Sequence, residues 1–275
     1  MIQMKESNKF GINTTCVHVG EVRDEQFKGA VSPIYTSTSY GFDGVDVKRY
    51  PRYFNTPNQE MLRKKIAALE KTEDALIFGS GMGAISAALF AFLEKGDHVV
   101  VQQVIYGGTY NFIVSEFEKF GIEYSFTESD KAEDFKALIK KNTKVLYIET
   151  PSNPLLGITD MKAISALAKE YKILTMIDNT FASPINQTPV DFGIDIMLHS
   201  ATKYMGGHSD ISAGVIAASR EHIEQIWKTA INLGGNLSDH TVWLLERSLK
   251  TLNLRVKEQT KNAQEMANYL DGNAN

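Results

Sequence analysis

The stretch that decides the fold is ALIFGSGMGAISAALFAFLEKGDHVVVQ, residues 75–102. It begins with a short apolar run, 75–78, which leads through a glycine-rich turn into an apolar helix predicted at about 82–94. A second apolar run, 98–102, ends the stretch. A strand, a helix and another strand therefore follow one another closely, and this order predicts a βαβ unit with parallel strands.

The same alternation extends along most of the chain. Thr56-Pro57 indicates the start of a preceding helix, because proline is favoured in the first helical turn. Downstream, helices are predicted at about 108–120, 131–140 and 160–171, strands at 123–127, 144–149, 173–177, 195–199 and 213–217, and long helical segments at 220–232 and 239–270. We therefore expect an α/β fold, a mostly parallel sheet with helices on both faces.

Composition excludes several classes of partner. The 275 residues carry a net charge of −4, so there is no basic excess to neutralise a nucleic-acid backbone. The longest apolar run, 84–93, is much shorter than the roughly 20 residues of a membrane span. Cys16 is the only cysteine, which rules out an internal disulfide and a cysteine-rich metal site. We expect no metal, no nucleic acid, no membrane partner and a cytoplasmic location.

The residues that follow the strands are the candidates for function, because ligands of parallel sheets bind beyond the carboxyl ends of the strands. GSGMG (79–83) comes after the first strand and opens a helix, whose N-terminus suits an anion such as phosphate. A tight strand–helix turn explains these glycines equally well. A dinucleotide site fits less well, because the spacing is G-x-G-x-G and Asp97 precedes its strand instead of ending it.

Two later strands are followed by residues that are candidates for binding or catalysis. Asp178 follows strand 173–177, where a buried carboxylate needs a cation or strong donors, although helix capping is the alternative. Ser200, Thr202 and Lys203 follow strand 195–199. A partly desolvated lysine forms an imine with an aldehyde, whereas a solvated lysine is the ordinary alternative. A phosphate cradle, an acid and a lysine together match the needs of pyridoxal 5'-phosphate.

The chain resembles the Cys/Met-metabolism family of pyridoxal-phosphate enzymes from about residue 15 to its end. This family includes cystathionine γ-synthase, cystathionine γ- and β-lyases, methionine γ-lyase and homoserine sulfhydrylases. The segments that carry the resemblance are HSATKYMGGHSDISAG (199–214), SGMGAI (80–85), YGGT (106–109), ETPSNP (149–154) and DNT (178–180).

The resemblance implies the large domain of a fold-type I pyridoxal-phosphate enzyme and a division of the chain. Residues 1–56 are expected to form an extended N-terminal arm, and 57–252 the cofactor-binding α/β domain. Residues 253–275 would begin a C-terminal domain that is otherwise absent. The arginine that binds the substrate carboxylate in the family belongs to that domain, so no residue of this sequence is assigned to it.

The resemblance also implies roles for individual residues. Lys203, Tyr106 and Asp178 are the expected catalytic residues. Lys203 is similar to the Schiff-base lysine that later moves protons, Asp178 to the acid that pairs with the ring nitrogen, and Tyr106 to the aromatic residue that stacks on the ring. The remaining expected contacts are Gly81, Met82, Ser200 and Thr202 to the phosphate, and Asn153 near the cofactor and the substrate carboxylate.

Tyr50 and Arg52 are similar to family residues that reach the phosphate in a neighbouring subunit, which implies a homodimer or homotetramer. A guanidinium suits phosphate well, although an ordinary exposed loop is the alternative. The family's usual Asn-Pro-Thr appears here as Asn55-Thr56-Pro57, which leaves the register of the arm open.

The implied activity is cleavage or formation of C–S bonds in cystathionine, homocysteine or cysteine-type amino acids, by β- or γ-elimination or replacement. Gly108 stands where methionine γ-lyases generally carry cysteine, which favours the cystathionine lyase or γ-synthase group. The choice among γ-lyase, β-lyase, γ-synthase and sulfhydrylase stays open. The alternative is a truncated homologue that binds the cofactor, is poorly active and acts as an oligomeric scaffold.

Overall fold

The computed structural model describes residues 10–45 and 47–273. Its strands are β1 Asp74–Phe78, β2 His98–Val101, β3 Glu123–Phe126, β4 Thr143–Glu149, β5 Leu174–Asp178, β6 Ile196–His199 and β7 Gly214–Ala218. The α-helices of this part are α1 Ile12–His18, α2 Pro57–Glu70, α3 Gly81–Phe92, α4 Gly107–Phe120, α5 Ala132–Leu138, α6 Met161–Tyr171, α7 Ser183–Asn186, α8 Arg220–Leu233, α9 Asp239–Leu249 and α10 Leu252–Asp271. None of these helices has the length and apolar character needed to cross a membrane.

The strands form one seven-stranded sheet in the order β1-β7-β6-β5-β4-β2-β3. β7 runs antiparallel to both of its neighbours, β1 and β6, whereas the other neighbouring pairs are parallel. The expected α/β fold with a mostly parallel sheet is confirmed. The carboxyl ends of β4, β5 and β6 lie side by side at one edge of this sheet, and that edge carries the candidate site.

Helices cover both faces of the sheet and bury an apolar core on each. One core lies beneath α2, α5, α6 and α9, and the other beneath α3, α4 and α8. The residues of β2, β6 and β7 are buried throughout, which explains their continuous apolar runs instead of an alternating pattern.

The start of α2 fits its sequence signal. Thr56 caps the helix through a reciprocal pair of hydrogen bonds with Gln59, and Pro57 follows in the first turn. The Thr56 hydroxyl also donates to Asp239, which ties this end of α2 to α9. The cap therefore fixes where the N-terminal segment ends and the α/β domain begins.

The N-terminal segment contains one element that the sequence did not indicate. Residues 12–18 form the short helix α1, whose last turn receives the buried ammonium of Lys65: Nζ donates to the carbonyl of Cys16 at 2.9 Å and to that of Val17 at 3.3 Å. Lys65 also pairs with Glu246 at 2.8 Å. Between α1 and α2, the one regular element among the described residues 19–45 and 47–56 is a short 3₁₀ turn at Pro51–Tyr53. Residues 1–9 and 46 of the expected arm lie outside the described residues.

The long helical segment expected at 239–270 is divided in two. α9 ends at Leu249 and α10 begins at Leu252. At the junction, the N–H groups of Lys250 and Thr251 bond to carbonyls three residues earlier instead of four, which tightens the last turn and stops the helix. The break lies beside the domain boundary expected at residue 253, a boundary that stays a prediction, and residues 274–275 lie outside the described part.

Candidate active site

A cleft of about 830 Å³ opens at the carboxyl ends of the parallel strands. Among the residues that line it are Gly81, Met82, Tyr106, Asn153, Asp178, Ser200, Thr202 and Lys203. These are the expected site residues with the exception of Tyr50 and Arg52. Residues that are more than a hundred positions apart in the chain therefore meet in one place, because each follows a strand of the same sheet.

One wall of the cleft is built around the N-terminus of α3. Ser80 caps this helix by accepting a hydrogen bond from the Gly83 N–H at 3.0 Å. A Cβ on Gly81 would lie 2.8 Å from the Cβ of Ser200, so only glycine allows the helix to approach the loop after β6 this closely. The approach brings a helix N-terminus, which favours anions, beside the hydroxyl-bearing segment at 200–202.

The loop after β6 is held by its own backbone and by hydroxyl groups. The Thr180 hydroxyl accepts from the Ser200 N–H at 2.7 Å. The Thr202 hydroxyl accepts from the Ala213 N–H at 3.0 Å and donates to the Ala213 carbonyl at 3.2 Å. In this arrangement the Thr202 hydroxyl joins its loop to the segment before β7, in addition to lining the cleft.

Two carboxylates meet at the floor of the cleft. Glu149 ends β4, Asp178 ends β5, and the two residues are direct partners in the register of these strands. Burial raises the pKa of Asp178, although its hydrogen bonds with Thr180 oppose the shift. Burial, together with the negative charge of Asp178, raises the pKa of Glu149 to about 7. Ionisation of both carboxyl groups is therefore disfavoured in the structure, and a cation bound at the floor would stabilise their charged forms.

Glu149 is a site residue that the sequence reasoning missed. Its Oε2 accepts from the Tyr106 N–H at 2.7 Å, and its Oε1 accepts from the Asn153 N–H at 2.8 Å. It therefore holds two of the expected cofactor contacts. The signal was present in the sequence, because Glu149 is a carboxylate at the carboxyl end of a buried strand, as Asp178 is.

The Tyr106 ring lies directly against the start of its own helix. A Cβ on Gly108 would lie 2.4 Å from Cε1 of this ring, so glycine is required for the observed position of Tyr106. The ring is partly exposed, which leaves it available to a flat ligand.

A second polar cluster lies at the same strand ends, on the opposite face of the sheet from Asp178. The buried His199 pairs through Nε2 with the buried Glu70, and Asn179 donates to the same Glu70 oxygen at 3.2 Å. Gln187 donates to the Asn179 amide oxygen at 2.9 Å and to the Thr150 carbonyl at 2.9 Å. This network fixes the residue that follows Asp178.

Arg255 of α10 holds the segment that follows Lys203. Its guanidinium donates to the carbonyls of Tyr204 at 2.8 Å, Met205 at 3.4 Å and Ser248 at 3.0 Å. It packs against Gly207, where a Cβ would lie 2.0 Å from Nη1 and where φ is +73°. The position of the lysine loop therefore depends on α10.

Tyr50 and Arg52 do not line the cleft of their own chain. The Arg52 guanidinium donates to the Ile231 carbonyl at the end of α8, and it lies 5.6 Å and 5.5 Å from the ring centroids of Tyr50 and Tyr53. Their expected role toward a neighbouring subunit stays a prediction. Within residues 10–45 and 47–273, no group of three His, Cys, Asp or Glu side chains is placed to hold a metal ion.

Comparison with known proteins decides the family. The family model described as Cys/Met metabolism PLP-dependent enzyme matches residues 13–275. The chain belongs to this family. It is 43% identical over 246 residues to cystathionine β-lyase MetC of Bacillus subtilis, a match that covers 88% of the chain and 63% of that relative.

Two solved structures of Cys/Met metabolism enzymes share the fold. The structure of metB from Corynebacterium glutamicum has a TM-score of 0.93 at 35% identity, covering 98% of this chain and 71% of that one. Cystathionine γ-lyase from Lactobacillus plantarum, solved with L-serine, has a TM-score of 0.92 at 34% identity, covering 96% and 70%. The chain therefore spans roughly two thirds of the length of these relatives.

The cofactor of this PLP-dependent family is pyridoxal 5'-phosphate, and the donor set of the cleft fits it. The α3 N-terminus suits the phosphate, Asp178 is a buried acid that suits a cationic ring nitrogen, and Lys203 supplies an amine. The close approach at Gly81 leaves no room for a larger side chain at the phosphate end.

Proposed function

We propose that this chain is a pyridoxal-phosphate-dependent enzyme that cleaves or forms C–S bonds in cystathionine, homocysteine or cysteine-type amino acids. The observation that carries the proposal is the shared cleft of Lys203, Asp178 and the α3 N-terminus. Relatives named as cystathionine β-lyase and γ-lyase support a C–S bond reaction, and they favour catalysis over the alternative of a scaffold.

Different residues of the cleft would bind different parts of the cofactor and the substrate. The first turn of α3, with Gly81 and Met82, together with Ser200 and Thr202, would bind the phosphate. Asp178 would pair with the ring nitrogen, and Tyr106 would cover one face of the ring. Asn153 would contact the cofactor and the substrate carboxylate. When bound, pyridoxal phosphate supplies an electron sink for bonds at the substrate α-carbon.

The chain's own groups then move protons. Nζ of Lys203 would hold the cofactor through its aldehyde, and when free it would take the proton from the substrate α-carbon. A positioned base of this kind contributes about 10²–10⁴-fold to the rate. The Asp178 carboxylate would accept a hydrogen bond from the protonated ring nitrogen and would keep that proton in place.

Two measurements test this proposal. First, borohydride reduction of the full chain with pyridoxal phosphate, followed by peptide mapping, should find the pyridoxyl group on Lys203. Second, the products formed from cystathionine identify the reaction. β-Elimination yields pyruvate, ammonia and homocysteine, γ-elimination yields 2-oxobutyrate, ammonia and cysteine, and a γ-replacement enzyme instead consumes cysteine and an activated homoserine. Labelling of another lysine, or no bound cofactor, would overturn the proposal.

We also propose that Tyr50 and Arg52 complete the site of a neighbouring copy in a homodimer or homotetramer. Their position outside their own cleft is compatible with this role. Mixing inactive Lys203→Ala with impaired Arg52→Ala should restore activity, because mixed dimers contain one site with both residues intact. Mixtures no more active than the sum of their components would contradict it. The cytoplasmic location stays a prediction from the single cysteine.

A further inference from the structure

Glu149 occupies a central place that the proposed reaction does not yet use. Both of its carboxylate oxygens accept backbone hydrogen bonds, from Tyr106 at 2.7 Å and from Asn153 at 2.8 Å. Its own backbone is fixed by the buried Gln102, which accepts from the Glu149 N–H at 3.1 Å and donates to the Glu149 carbonyl at 2.8 Å. The side chain is thus a rigid bracket between the start of α4 and the loop after β4.

The bracket requires an ionised carboxylate. An ionised group accepts with both oxygens, whereas a protonated group turns one oxygen into a donor, which cannot accept a backbone N–H in the same way. Protonation of Glu149 would therefore release Tyr106 or Asn153 from its hydrogen bond.

The charge of Asp178 opposes the ionisation of Glu149. Asp178 of β5 lies at the same register position, and the hydroxyl-bearing Tyr147 lies on the same face of β4. Tyr106 and Lys203 face the cleft from α4 and from the loop after β6. In the described part of the chain, no lysine, arginine or histidine nitrogen lies within 4.0 Å of either carboxylate.

We propose that Glu149 is a positioning residue whose ionised form locks Tyr106 and Asn153 in the cleft, and that a cation bound beside Asp178 promotes this ionisation. The inference rests on the proposed function, in which the cation is the protonated ring nitrogen of pyridoxal phosphate. Binding of the cofactor thereby fixes Tyr106, which would cover the cofactor ring, and Asn153, which would contact the substrate.

Titration behaviour agrees with this geometry. Burial and the charge of Asp178 raise the pKa of Glu149 to about 7. A cation at Asp178 neutralises the nearer negative charge, so the pKa of Glu149 falls and its proton is released. Binding of the cofactor at pH 6 should therefore release a proton that binding at pH 8 does not.

The first test titrates pyridoxal phosphate into the full chain at pH 6 and pH 8, followed by absorbance. Release of one proton with a pKa near 7 makes the affinity of the wild type rise about tenfold more between these pH values than that of Glu149→Gln. Other groups titrate equally in both proteins, so the difference isolates Glu149. Glu118→Gln, an exposed change on α4, should match the wild type. An equal pH dependence in Glu149→Gln would overturn the proposal.

A second readout reports the position of Tyr106. The visible circular dichroism of the bound cofactor depends on its asymmetric surroundings, so Glu149→Gln should lose a large part of this signal while still binding through Lys203. An unchanged signal would contradict a positioning role. If Glu149→Gln does not fold, Asp178→Asn replaces it in the pH comparison, because burial and the charge of Asp178 both raise the pKa of Glu149 and the variant removes the second cause. The tenfold difference should therefore shrink, and an undiminished difference in Asp178→Asn would contradict the proposal.

A third measurement separates this inference from the proposed function. Unfolding in urea without cofactor should show that Glu149 contributes stability below pH about 4.5 that is lost as the pH rises through about 7, because its folded pKa is raised. Glu149→Gln should lack that loss, which is on the order of a hundredfold in the unfolding constant. A wild type that never binds pyridoxal phosphate would overturn the proposed function, whereas unfolding of the wild type, Glu149→Gln and Asp178→Asn would still decide whether the pKa of Glu149 is raised and whether the charge of Asp178 contributes to it.

Discussion

The buried titratable groups at the two ends of the central strands differ in how their polar atoms are paired. At the amino-terminal end, His98 begins β2, is fully buried, and has partners for both ring nitrogens: Nδ1 contacts Thr143 Oγ1 at 2.8 Å and Nε2 contacts Ser125 Oγ at 3.0 Å. At the carboxyl end, Glu149 and Asp178 stand side by side, and among residues 10–45 and 47–273 no lysine, arginine or histidine nitrogen lies within 4.0 Å of either carboxylate. The buried histidine at the amino-terminal end therefore finds its hydrogen-bond partners within the chain, whereas the carboxylate pair at the carboxyl end would be stabilised by a bound cation.

Burial favours the neutral forms of both His98 and Glu149, but the neutral form suits the hydrogen bonds of His98 and not those of Glu149. Burial lowers the pKa of His98 to about 4 and raises the pKa of Glu149 to about 7. The neutral imidazole satisfies its neighbours, so the fold needs no ligand there. The hydrogen bonds of Glu149 require the charged form, so the carboxyl end is improved by a bound cation. Electrostatic strain of this kind indicates where a ligand belongs.

The pH dependence of stability should therefore have opposite signs at the two ends. The lowered pKa of His98 gives stability that is present above pH about 6.5 and is lost as the pH falls through about 4. The raised pKa of Glu149 gives stability that is present below about 4.5 and is lost as the pH rises through about 7.

The largest effect is expected from Lys203→Ala at the carboxyl end. Removing the amine should reduce turnover of cystathionine by about 10⁴-fold and abolish borohydride labelling, because Nζ of Lys203 is both the proposed attachment point of the cofactor and the proposed base. Initial rates and peptide mapping measure both. Lys228→Ala, an exposed change on α8, should leave both intact. Turnover within a few-fold of wild type in Lys203→Ala would contradict the assignment.

A smaller loss is expected from Asp178→Asn. The cofactor should still bind through Lys203, but kcat should fall by about 10²–10³-fold, because an amide cannot stabilise the protonated ring nitrogen as a carboxylate does. Steady-state kinetics together with a cofactor titration separate the two effects. The exposed Asp191→Asn serves as the control, and an unchanged kcat in Asp178→Asn would remove the contrast between the two strand ends.

The smallest effect is expected from His98→Leu at the amino-terminal end. Loss of both ring contacts should lower the free energy of unfolding by about 1–3 kcal/mol, because Thr143 and Ser125 lose their partner. Urea unfolding measures this change, and kcat per folded molecule should stay at the wild-type value. A fall in kcat comparable to that of Asp178→Asn would show that the two ends are not independent.

Much of the fold and site was accessible from local patterns. Strands and helices followed from apolar periodicity. The rule that ligands bind beyond the carboxyl ends of parallel strands predicted from the sequence alone that Asp178 and Lys203 belong to one site. The same rule also indicates Glu149. The sequence could not show that Glu149 lies beside Asp178, because their proximity depends on the register of β4 and β5.

Other features depend on contacts between distant parts of the chain. The pair formed by Glu70 and His199 joins residues 129 positions apart. Helix α1 has only seven residues, too few for a clear period, and it is stabilised by Lys65 from α2. Isolated helices of this length are not stable in water, so its sequence alone could not indicate it.

The packing of Arg255 against Gly207 restricts how these two positions can vary together among homologous chains. A side chain at 207 would overlap the guanidinium, so a replacement there requires either a shorter residue at 255 or a shift of Arg255 away from the carbonyls of Tyr204, Met205 and Ser248. The left-handed backbone at Gly207 adds a second barrier of about 1–2 kcal/mol for most residues. Because asparagine is among the residues that tolerate that conformation, we expect glycine at 207 to accompany arginine at 255, and asparagine to be the least costly replacement at 207 where residue 255 is shorter.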